Sequence, residues 1–218
     1  YALRGEKQKA LESYGQALPL LRSIPDYNGE GMVLHKMGKI YEVFDEKQKA
    51  LDLYTQALPL MHKASNRGGE ATVLNDIGAI YSTLGEKQKA LNAYSEALPL
   101  WRAIKNRGGE AATLSNIGGV HSALGEKQKA LDFYTQALSL VRAIDDRRSE
   151  ATLLNNIGLV HFDLGESLKA LAYYNQSLPL LRILRNPSGE ARTLINIGGV
   201  HSALGEKPEA INFYNQAL

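Results

Sequence analysis

Apolar positions recur along this chain with two nested periods. Leu74, Ile77, Tyr81 and Leu84, flanked by Val73 and Ile80, fall at the spacing of one helix face. Leu34, Met37, Tyr41 and Phe44 hold the matching places one unit earlier. A second stripe, Ala50, Leu51, Tyr54, Ala57 and Leu58, again follows the i, i+4, i+7 rule. The pattern predicts two amphipathic helices joined by a turn, an α-hairpin. A shift of 40 residues returns it: residues 109–148, GEAATLSNIGGVHSALGEKQKALDFYTQALSLVRAIDDRR, reappear in altered form at 69–108 and at 149–188.

Self-similarity at a fixed period marks one supersecondary unit stacked on copies of itself, each touching only its neighbours. The predicted organisation is a single array over 1–218, with a partial repeat at 1–28, full repeats at 29–68, 69–108, 109–148 and 149–188, and a shortened copy at 189–218. Tyr1 to Arg4 align with Tyr41 to Phe44, so the chain is expected to open at the end of a first helix. Leu218 aligns with Leu58, inside a second helix, and both ends read as cut from a longer array.

Punctuation falls where hairpins need it. Gly85, Gly125, Gly165 and Gly205 follow the last apolar residue of the first helix, where a left-handed cap is cheapest in glycine; Asp45 is the less comfortable substitute. Glu6, Glu46, Glu86, Glu126, Glu166 and Glu206 are expected to open the second helices, and Glu30, Glu70, Glu110, Glu150 and Glu190 the first, each meeting the positive end of a helix dipole. Arg22, Arg102, Arg142 and Arg182, with His62 in register, suit the opposite end. Pro19, Pro59, Pro99 and Pro179 lie well inside the second helix, which predicts a kink or break and a bend that sets the curvature of the array. Ser139 replaces that proline in one copy, so the hairpin does not need it.

Composition narrows the chemistry. A formal charge of +2, with acids and bases interspersed, offers no basic tract for nucleic acid or an anionic membrane. No apolar run approaches the ~20 residues of a membrane span, so a soluble, cytoplasmic protein is expected. The absence of cysteine excludes disulfides, thiolate metal sites and a cysteine nucleophile. A catalytic site needs unlike groups converging on one point, whereas this array offers like groups at regular intervals. The GEK turns lack the second glycine and the Lys-Ser/Thr pair of a phosphate loop. His121, His161 and His201 share one register position, but Tyr41 and Tyr81 fill it elsewhere, and a full repeat separates each from the next; no metal or other cofactor is expected. The Lys87, Gln88, Lys89 ridge and its copies Lys47, Lys49, Lys127 and Lys129 are expected to form a solvated convex face.

The spacing Leu74, Ile77, Gly78, Tyr81, Ala90, Tyr94, Ala97 resembles the tetratricopeptide repeat. It recurs as Leu114, Ile117, Gly118, His121, Ala130, Tyr134, Ala137 and as Leu194, Ile197, Gly198, His201, Ala210, Tyr214, Ala217. Small residues at Gly78 and Ala90 would let the helices of a pair approach, and the aromatics would fill the seam to the next unit. The longer period and the GEA-x-x-L-x-N-I-G opening resemble the arrays of kinesin light chains, the spindle adaptor LGN and bacterial proteins that carry a CHAT domain. The resemblance implies an all-α fold, a right-handed superhelix of antiparallel helix pairs, and a concave groove, lined by the first helices, that binds extended peptide segments.

The stripe of the first helix not used by its apolar face points the same way. It reads Thr72, Asp76, Ala79, Thr83; Ala112, Asn116, Gly119, Ala123; Thr152, Asn156, Leu159, Asp163; and Arg192, Asn196, Gly199, Ala203. Small residues surround one amide, and mid-helix glycine at 119 and 199 costs ~1 kcal/mol each, so the face is expected to give room to something. An asparagine can pair with both the N–H and the C=O of an extended peptide. Asn116, Asn156 and Asn196 are therefore expected to form a ladder for backbone capture, broken by Asp76 and Lys36, with specificity left to Lys39, Asn75, Asn155, Asp163 and Arg192. The alternative is that the ladder asparagines bond to neighbouring helices and merely hold the stack. The expected function is a noncatalytic module binding a protein or peptide segment; a structural spacer associating end to end, or the regulatory array of an absent enzyme domain, are the other readings.

Overall fold

The computed structural model describes residues 2–218; Tyr1, and with it part of the expectation for the first four residues, lies outside them. Among the described residues the chain forms eleven α-helices and no strand: α1 (Ala2–Arg22), α2 (Tyr27–Val43), α3 (Lys47–Lys63), α4 (Arg67–Thr83), α5 (Lys87–Ala103), α6 (Arg107–Ala123), α7 (Lys127–Ala143), α8 (Arg147–Asp163), α9 (Ser167–Ile183), α10 (Pro187–Ala203) and α11 (Lys207–Gln216). They fall into two compact units, Tyr1–Asn106 and Arg107–Leu218. In the first, α2 pairs with α3 and α4 with α5, and α3 packs on α4; in the second, α6 pairs with α7, α8 with α9 and α10 with α11, linked by α7 on α8 and α9 on α10. Helix pairs stacked in chain order are the α-solenoid architecture the sequence predicts.

The turns inside each pair close as expected. Gly85 takes φ +81° and Asp45 the same left-handed region at φ 60°. The Gly85 N–H bonds to Ser82 O (3.2 Å) and the Glu86 N–H to Tyr81 O (2.9 Å), which satisfies the last carbonyls of α4. The turns between pairs are built alike without glycine: Ser65, Lys105, Asp145 and Arg185 all have φ between 50° and 56°. At the next helix start Asp26, Asn66, Asp146 and Asn186 each accept the N–H three residues on, at 2.8–3.1 Å, so these helices open three or four residues before the glutamates expected to open them. Glu30, Glu150 and Glu190, in the first turn, meet Arg22, Arg142 and Arg182 at 2.6–2.8 Å, and Glu70 meets His62 at 3.2 Å. Dipole-matched charges at one helix end and the next start thus pair with each other.

Two expectations need correcting, a helix break at the prolines and a turn before Glu6. The helices that carry Pro59, Pro99 and Pro179 do not break: each runs 17 residues, as does α7 with Ser139 in that place. Proline strands the carbonyl four residues earlier, and here that residue is Thr55, Ser95 or Asn175, each on the exposed side of its helix. Nor does the chain turn at Gly5: α1 continues through it, and Glu6 lies within the helix.

The core of each pair is a tyrosine on a glycine. A Cβ added to Gly118 would lie 2.8 Å from the Tyr134 ring, and one on Gly158 2.6 Å from that of Tyr174. The small residue therefore makes room for its own repeat's aromatic ring, more than for backbone approach. Tyr54, Tyr94 and Tyr174 are buried, and Tyr54 joins Val73 and Ile77 of the following repeat in one cluster.

Candidate functional site

The predicted groove residues lie in two different settings. In the second unit Asn116, Asn156 and Asn196 stand on α6, α8 and α10 at one register position, exposed or half-buried, and their amides make no hydrogen bond to protein. Beside Asn116 a cavity of about 290 Å³ lies between α6 and α8, floored by Ala111, Val141 and Leu153 and rimmed by Ser115, Arg148, Ser149 and Thr152. Arg192 is exposed on α10. Asp163, at the end of α8, is held by Lys127 Nζ at 2.5 Å, so this lysine is an ion-pair partner and not part of a purely solvated ridge.

In the first unit the same stripe is occupied by its own charges. His35 Nε2 meets Asp76 Oδ2 at 2.7 Å, and Lys39 Nζ donates to Asp76 (3.2 Å) and to Glu42 (3.0 Å). Glu42 also accepts a short bond from the Tyr54 hydroxyl, whose pKa burial first, and this carboxylate next, pushes well above the ordinary range. Lys39 and Asp76 are thereby committed to α2, α3 and α4. Lys36 is exposed and Asn75 half-buried.

Asn155 is a correction. It is 3% exposed and faces the interior, where Nδ2 shares its two protons among Ser177 Oγ (2.5 Å), Thr193 Oγ1 (2.9 Å) and Ala151 O (3.2 Å). The Thr193 hydroxyl donates back to its Oδ1 (3.1 Å), joining α8, α9 and α10. A buried amide must satisfy its bonds internally, so it ties the stack and cannot read a ligand.

Sequence reasoning missed the tyrosine hydroxyls. Tyr134 is 5% exposed, yet its hydroxyl has no hydrogen-bond partner and lies 3.6 Å from where a Cβ on Gly119 would sit. The repeat spacing from Gly118 to Tyr134 was visible; that the ring would carry its oxygen under Gly119 was not. In contrast, the Tyr174 hydroxyl is sealed from solvent and unpartnered, with Leu159 in the place of Gly119.

The histidines pack as rings. His121 stacks on Phe133 at 5.2 Å, His161 on Tyr173 at 5.3 Å and His201 on Phe213 at 5.2 Å. Their Nδ1 atoms bond to Glu126, Glu166 and Glu206. These bonds, with those from Lys129 and Lys169, hold the Glu126 and Glu166 carboxyls below the usual carboxylate range; the Glu126 shift comes first from His121 and that of Glu166 first from Lys169. Tyr41 and Tyr81 replace histidine in the first unit, under the ammonium groups of Lys49 and Lys89 at 5.3 and 5.2 Å. Among the described residues no three His, Cys, Asp or Glu side chains gather as for a metal ion, and no helix is long and apolar enough to cross a membrane.

The tetratricopeptide repeat profile matches residues 48–103, 69–143 and 149–218, and the chain belongs to that family. No curated protein sequence matches it. Among solved structures it is similar to BtubC (BKLC) from P. vanneervenii, at 20% identity and TM-score 0.85 over 100% of this chain and 90% of that one. It is similar also to a putative kinesin light chain from Podosopora anserina with nearly identical TPR-like repeats, at 15% identity and TM-score 0.69 over 92% and 94%. A Rap protein complexed with Competence and Sporulation Factor aligns at 16% identity and TM-score 0.74, over 95% of this chain and 62% of that one. At such identities the likeness is one of fold.

Proposed function

We propose that the chain is a noncatalytic binding module whose second unit captures an extended peptide segment along α6, α8 and α10. One observation carries this reading: Asn116, Asn156 and Asn196 are left without any protein partner while Asn155, on the same helix as Asn156, is fully bonded. Amides that served to hold the stack would be bonded as Asn155 is. Free amides at one register position, among small residues, instead offer a donor and an acceptor each to a peptide backbone. An extended chain rises ~3.3 Å per residue, so a segment laid across the three helices meets their amides at intervals of several residues. The complex of a Rap protein with Competence and Sporulation Factor is a partner-binding example on this fold.

The test is the triple change of Asn116, Asn156 and Asn196 to Ala. Peptides selected from a randomised library against the natural chain should bind the variant at least tenfold more weakly, with its melting temperature unchanged. Retained binding with a lowered melting temperature would instead mark the asparagines as stack fasteners.

A further inference from the structure

The first helices of the second unit differ at one position where the fold gives no packing reason to differ. Gly119 on α6 and Gly199 on α10 leave open space: a Cβ there would meet only the Tyr134 hydroxyl at 3.6 Å or the Tyr214 hydroxyl at 4.0 Å. Neither glycine is required by φ or by a neighbour, unlike Gly118 and Gly198, whose Cβ atoms would strike the tyrosine rings. Each is a mid-helix glycine kept at a cost of ~1 kcal/mol with nothing of the protein's own in the space it leaves. Beneath Gly119 lies a phenol more than nine-tenths buried whose hydroxyl makes no hydrogen bond to protein and, unlike that of Tyr174, is not sealed from solvent, whereas Tyr214 beneath Gly199 is 38% exposed. Burial holds the Tyr134 pKa above the ordinary phenol value, so at neutral pH the oxygen carries its proton and donates. On α8 the opening is closed: Leu159 stands there, 45% exposed, and the Tyr174 hydroxyl is sealed.

We infer that Gly119 and Gly199 are windows through which the Tyr134 and Tyr214 hydroxyls donate to backbone carbonyls of the captured segment, and that Leu159 between them selects an apolar side chain. This rests on the capture of an extended peptide by the same three helices. Each open helix then grips the backbone twice, by an asparagine and by a hydroxyl one turn further along. The central helix grips once and offers an exposed apolar contact. The ligand is accordingly an extended segment with an apolar residue at its centre, held by its backbone on either side of it.

The experiment pans a randomised library of roughly twelve-residue peptides against the 218-residue chain and measures the selected synthetic peptides by fluorescence polarisation. Tyr134→Phe keeps the ring and removes only an unpartnered oxygen, so the melting temperature should hold while affinity falls about fivefold to tenfold. Gly119→Leu, which copies α8, should lose as much, and Tyr174→Phe should lose nothing. Selected peptides should share an apolar residue that Leu159→Ala no longer prefers. Unchanged affinity in Tyr134→Phe, alongside loss in the triple asparagine variant, would overturn the windows and leave peptide capture standing. Unchanged affinity in the triple variant, or a library that enriches no peptide, would overturn the capture reading itself.

Discussion

Two repeats of this array, one in each unit, use the same scaffold for opposite ends, and the contrast sits at a few aligned positions. In the first, Lys39 and Glu42 stand where the second has Gly119 and Ser122, and the Tyr54 hydroxyl spends its proton on Glu42. In the second, the Tyr134 hydroxyl and the amides of Asn116, Asn156 and Asn196 are left unspent. The same scaffold therefore satisfies a core tyrosine hydroxyl internally at Tyr54 and leaves the corresponding one open at Tyr134, while buried Trp101 Nε1 of the first unit also goes without a partner. A repeat fold permits this because each unit's core, a tyrosine seated on a glycine, does not depend on what the opposite helix face carries.

The contrast can be broken most sharply at adjacent glycines. Gly118→Ala drives a methyl into the Tyr134 ring and should lower unfolding free energy by ~1–3 kcal/mol, read by chemical denaturation. Gly119→Ala meets only ordinary contact with the hydroxyl and should raise stability by up to ~1 kcal/mol. Equal effects at the two positions would mean that α6 has no open face. Next in size is Asn155→Ala, which removes the amide shared by Ser177 and Thr193 and should cost ~1–3 kcal/mol without weakening peptide binding.

Smaller effects sharpen the account of the turns and rings. Arg185→Gly relieves a left-handed residue at φ 50° and should gain ~1 kcal/mol in thermal unfolding. Burial pushes the Tyr94 phenol up to about 12 and raises that of Tyr134, whereas an unfolded tyrosine loses its proton near 10. The folded state is the one that holds the proton, so this stabilisation is intact below pH 10 and should be lost as pH rises toward 12. In acid the sign reverses for Glu126 and Glu166: their contribution is present above the ordinary glutamate range and should fade as pH drops through their lowered values.

Much of this was legible in the sequence because helix pairing depends on local patterns. Apolar spacing, Gly85 and its copies, and the tyrosine sixteen residues after each core glycine all declare themselves in one strand of text. Two kinds of feature did not. Pro59 and its copies look helix-breaking until the helices prove continuous, with the residue four before each proline on the exposed side. Asn155 looks like its neighbour Asn156 until Ser177 and Thr193, 22 and 38 residues away, are seen to meet it. Which amide is spent and which is free is decided by three helices together, and no single repeat contains that information.

The most direct measurement is the side-chain amide spectrum of the isotopically labelled chain during titration with a library-selected peptide. Capture along α6, α8 and α10 predicts that the NH₂ signals of Asn116, Asn156 and Asn196 shift together and saturate at one peptide concentration, while that of Asn155 stays in place. If the three stay in place while the peptide binds, the ladder is not the receptor and the central claim is wrong.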